Sequence, residues 1–134
     1  MNLEKFKKST ISKRNQSIYL SESKWEKGEE MGYRSWYVKV DEMGYVNLIP
    51  QYEDSEFEFF DELPSEEHFK EVRCVDGQEI TNKTITDIRI IEFTYSFGFV
   101  LDFKDKNLIL CLDTWNGEEL VLYLYTESSI SDMT

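Results

Sequence analysis

The chain has 134 residues, a net charge of −12, 40% hydrophobic and 15% aromatic residues. That length fits one domain with a real core, here expected over residues 1–134 with a loosely ordered tail from about residue 127. The hydrophobic content excludes a disordered acidic chain, and no apolar run approaches the ~18 residues of a membrane-spanning helix. The charge is uneven: residues 1–28 hold seven Lys/Arg against three acids, whereas residues 29–134 hold eight against twenty-four.

The opening MNLEKFKKSTISKR is basic with no apolar core behind it, so it reads as no secretory signal. Leu3, Phe6 and Ile11 hint at an N-terminal helix, which Ser9-Thr10 weakens. YRSWYVKV (33–40) and YVNLI (45–49) read as strands around a four-residue loop ending in Gly44, and Pro50 stops the second. The stretch YEDSEFEFFDELPSEE (52–67) carries eight carboxylates and no cation, with Tyr52, Phe57, Phe59, Phe60 and Leu63 threaded through it. If EFEFF (56–60) is a strand, Phe57 and Phe59 point to the core while Glu56, Glu58 and Phe60 point out. The aromatic rings then pin a platform of carboxylates, unlike an acidic tail. The alternative is a strand edge guarded by charge against aggregation.

Pro64-Ser65-Glu66-Glu67 looks like a helix start, with Ser65 as cap and acids in the first turn. The helix is expected over 66–72, with Phe69 and Val72 inward and His68 facing solvent on the same side as Glu71. Asp76-Gly77 marks a hairpin between EVRCV and QEIT. TITDIRIIEFTYS (84–96) is a strand whose parity breaks at Ile90-Ile91, which a β-bulge would reconcile. FGFVLDF (97–103) follows, then a turn at Asp105-Lys106-Asn107, LILCLD (108–113), a hairpin signal at Asn116-Gly117, and LVLYLY (120–125). Both faces of the last strands are apolar, so a helix, a second sheet or a partner must cover the second face. The expected class is α+β: mainly an antiparallel meander sheet with one or two short helices packed on it.

The search for chemistry is mostly negative. There is no G-x-S-x-G elbow, phosphate loop or dinucleotide fingerprint, and no alternating Asp/Asn calcium loop. Two cysteines and one histidine do not make a zinc site, and no local signature supports a His68–Cys74 nucleophile pair. Cys111, inside LILCLD, reads as a buried thiol of a reducing compartment, which points to the cytoplasm; a Cys74–Cys111 bridge stays open. Carboxylate pairs could serve a glycosidase, but among twenty-seven acids some pair always falls at a suitable distance. Trp25, Trp36 and Trp115 are core or rim aromatics, or stacking platforms. No cofactor, metal site or catalytic residue is expected.

A field this negative exceeds the charge of about 2–8 that solubility asks of a small domain. It repels nucleic acid and anionic membrane and attracts a basic protein. The expected partner-binding residues are Glu53, Asp54, Glu56, Glu58, Asp61 and Glu62, with Trp36 and Trp115 as weaker choices. The run from Ile88 to Tyr125, IRIIEFTYSFGFVLDFKDKNLILCLDTWNGEELVLYLY, resembles the C-terminal meanders of small bacterial immunity proteins of polymorphic or contact-dependent toxin systems. The resemblance implies a cytoplasmic, non-catalytic inhibitor bound to a cognate toxin domain, for instance a nuclease. The alternatives are a phage or mobile-element inhibitor that mimics DNA, and a small ligand-binding or hydrolytic domain. Oligomeric state is left open.

Overall fold

The computed structural model describes residues 1–22, 34–48, 56–65, 68–75, 77–92, 97–104, 109–113 and 120–123. It opens on α1 (Leu3–Thr10), capped by Asn2, whose side chain accepts from the Lys5 amide at 2.9 Å. Glu4 sits in the first turn and Lys7 and Lys8 in the last, the arrangement that suits the helix dipole. Eight residues make a marginal helix in isolation, so its stability must come from packing. Phe6 and Thr10 are its buried residues, and the Thr10 hydroxyl donates to the Phe6 carbonyl. Ile11, one of the residues that hinted at this helix, is exposed. It lies past the helix, where the chain turns at Ser12 with φ of 76°.

β1 (Arg14–Glu22) was not among the expected elements, yet it is the strand on which the sheet is organised. β2 (Arg34–Val40) pairs along it, and β3 (Gly44–Leu48) pairs along β2. The β2–β3 loop closes with Met43 N–H donating to the Val40 carbonyl at 3.1 Å, and both Glu42 and Gly44 have positive φ. Gly44 is required twice over. Its φ of 103° disfavours any side chain, and a Cβ there would overlap the carbonyl oxygen of Phe60. Phe60 belongs to the two-residue strand β4 (Phe59–Phe60), paired with β3.

The expected helix over 66–72 is corrected: its described part is β5 (His68–Glu71), antiparallel to β1 with Ser21 opposite Phe69. The cap-like signal at 64–67 was local, whereas β1 offers an unpaired edge and an aromatic neighbourhood for Phe69. Tertiary pairing overrides propensity in so short a segment. After β5 the chain leaves the sheet in a hairpin of β6 (Cys74–Val75) and β7 (Gln78–Glu79), turning through Gly77 with φ of 79° as expected from Asp76-Gly77. It returns as β8 (Lys83–Glu92), which pairs with Arg14 and Asn15 on the same edge of β1.

β5 and β8 are thus two halves of one interrupted neighbour of β1, and the side chain that closes the interruption is Asn15. It is fully buried. Its Nδ2 donates to the Ile80 carbonyl at 2.7 Å, its Oδ1 accepts from the Lys83 amide at 2.8 Å, and its backbone carbonyl accepts from the Asn82 amide at 2.7 Å. A buried amide is tolerated because its polar atoms are satisfied.

The meander over the second half is as expected: β8, β9 (Phe97–Phe103), β10 (Ile109–Asp113) and β11 (Leu120–Tyr123) pair consecutively and antiparallel. The turns at 105–107 and 116–117, and the tail, lie outside the described residues. The bulge is corrected from Ile90-Ile91 to Thr86: Ile85 opposes Phe103 and Asp87 opposes Asp102, while Ile90 and Ile91 pair in regular register. The extra residue lets Ile85 and Ile88, of opposite parity, both enter the core.

The sheet runs β11-β10-β9-β8-β1-β2-β3-β4, with β5 also on β1. Its inner face gathers Ile18 and Leu20 of β1, Trp36 and Val38 of β2, Phe99 and Leu101 of β9, and Leu110 and Leu112 of β10 around Phe6 of α1. Burying each such side chain contributes about 1.5–3 kcal/mol. On the opposite face Val100 and Cys111 are equally buried, in keeping with a covered second face. There Arg89, directly across from Val100, makes a two-pronged ion pair to Asp102 at 2.9 Å on each side. Neither cysteine is in a disulfide, Cys74 being exposed and Cys111 buried, so the bridge left open above is absent. The class is α+β, dominated by antiparallel sheet, with one short helix among the described residues.

Candidate functional site

The acidic segment is held from beneath by its own aromatics. Phe57 is 1% exposed, stacks on Phe6 with ring centroids 4.4 Å apart, and meets Phe99 edge-on at 5.9 Å. Phe59 stacks on the same helix residue at 5.7 Å. Alternation then turns Glu56, Glu58 and Phe60 outward, as the pattern EFEFF implied; all three are exposed, and Phe60 is 41% exposed. Only residues 59–60 of that stretch form a strand. The backbone of Phe57 is tied instead to Met1, exchanging hydrogen bonds of 2.7 Å in both directions.

Charge is distributed unequally along the segment. The terminal ammonium of Met1 lies 3.0 Å from the Glu56 carboxylate, which is itself 80% exposed, so Glu56 has a local counter-charge. Glu58, Asp61 and Glu62 are exposed and form no ion pair with any described residue. The side-chain cations that do pair are engaged elsewhere: Lys7 with Asp87, Lys13 with Glu42, Arg14 with Asp41, Arg73 with Glu71 and Arg89 with Asp102. The hydrogen bond and charge of Glu71 hold the exposed Arg73 guanidinium above its ordinary pKa.

Trp36 is corrected as a contact residue. It is 1% exposed and shares the inward parity of β2 with Val38 and Val40, so its indole is core. Glu53, Asp54, Trp115 and Trp25 lie outside the described residues. The members that come together on one exposed segment are therefore Glu56, Glu58, Asp61 and Glu62, with Phe60 among them.

Sequence reasoning missed a second cluster, on the outer face of β1, β2, β3 and β5. Tyr37 meets Phe69 edge-on at 5.2 Å, Tyr19 lies 6.4 Å from Phe69 and 6.1 Å from Tyr45, and the Lys39 ammonium sits 5.4 Å over the Tyr45 ring. Asn47, opposite Tyr37 on β3, has a buried Oδ1 without a hydrogen-bond partner. The signal was the alternation in QSIYLSE and SWYVKV, but reading 66–72 as a helix removed Phe69 from it.

No group of three or more His, Cys, Asp or Glu suited to a metal ion occurs among the described residues. No described helix is long and apolar enough to cross a membrane. With the fold and surface in view, the class is an α+β protein of mainly antiparallel sheet that displays a ring-anchored acidic segment. No protein-family model, no curated protein and no solved structure matches the chain.

Proposed function

We propose that this protein is a non-catalytic inhibitor, an immunity protein that binds and neutralises a cognate toxin domain through the acidic segment around β4. One observation supports this reading above the others: Phe57 and Phe59 are fixed inward on Phe6 while Glu58, Asp61 and Glu62 are exposed without a described cation beside them. Fixed carboxylates steer a cationic partner toward the surface and raise its association rate. Phe60, the exposed ring among them, supplies the apolar anchor that charge alone does not. The partner is a basic protein met in the cytoplasm, and the field of the body disfavours direct contact with nucleic acid or an anionic membrane.

The test is affinity capture from the source cell at low and high salt, run in parallel with a variant carrying Glu58→Lys, Asp61→Lys and Glu62→Lys. The reading expects a cationic protein retained at low salt, released at high salt, lost with the variant, and inhibited in its own activity by the wild-type chain. A captured nucleic-acid-handling enzyme that is no toxin would replace this reading with DNA mimicry. Equal capture by both chains would remove the acidic segment from the interface.

A further inference from the structure

We draw no further inference here: the strongest candidate, the aromatic patch that Tyr19, Tyr37, Tyr45 and Phe69 form on the outer face of β1, β2, β3 and β5, carries nothing because nothing in the structure shows what covers it.

Discussion

The rings of Phe6 and Phe57 lie 4.4 Å apart and within 23° of parallel, so one stacked pair joins the N-terminal helix to the acidic segment. Neither partner has enough local structure to hold itself: α1 is eight residues long, and β4 is only two. Phe57→Ala should therefore lower stability by about 3–5 kcal/mol, as for other buried aromatics. Phe60→Ala, on the exposed side of the same segment, should change it by about 0.5 kcal/mol or less. Urea denaturation of the two variants checks the contrast. Equal effects would mean that the segment is not anchored by its inward rings.

The triple reversal of Glu58, Asp61 and Glu62 to Lys should slow association with the partner by about tenfold or more at low salt and flatten its salt dependence. Folding stability should be nearly unaffected, because these exposed side chains make no ion pair with a described residue. Stopped-flow association measured over a salt series is the readout. Unchanged rates would show that the partner docks elsewhere.

Asn15→Ala should destabilise the protein by about 2–3 kcal/mol, since it strands the Ile80 carbonyl and the Lys83 amide in a buried position. The loss should be local as well as global. Hydrogen exchange at the Lys83 amide should accelerate more than at Leu101, deep in β9. Uniform acceleration would argue that the interruption between β5 and β8 is held by something other than this side chain.

Gly44→Ala combines a left-handed backbone position with overlap of the Phe60 carbonyl. The cost should be about 1–3 kcal/mol, larger than for Gly77→Ala, where φ is also positive but nothing stands near the added carbon. Thermal unfolding of the two variants side by side measures the difference. Similar losses would indicate that β4 has room to move away from β3.

A thiol reagent should titrate Cys74 in the native protein and reach Cys111 only on unfolding, following their exposure. Two thiols reacting at the same rate without denaturant, or none in either state, would contradict two unbridged, unequally buried cysteines.

Much of this molecule was legible where the reasoning needed only neighbours along the chain. The parity of EFEFF assigned Phe57 and Phe59 to the core and Glu56, Glu58 and Phe60 to the surface. Asp41 to Gly44 and Asp76-Gly77 marked turns, because positive φ is a local requirement with few residues that meet it. The meander from β8 to β11 followed from alternating and doubly apolar runs. What only the tertiary structure decided are the questions of who pairs with whom. The segment 68–71 is a strand because β1 has an edge to fill there, although its flanking residues favour a helix start. The bulge sits at Thr86 because Ile85 and Ile88 must both reach the core. Trp36 is buried because its side of β2 faces the core, and Asn15 matters because the distant segment 80–83 closes over it. Periodicity states which face a residue shares with its neighbours; only packing states whether that face meets water, a second strand or the core.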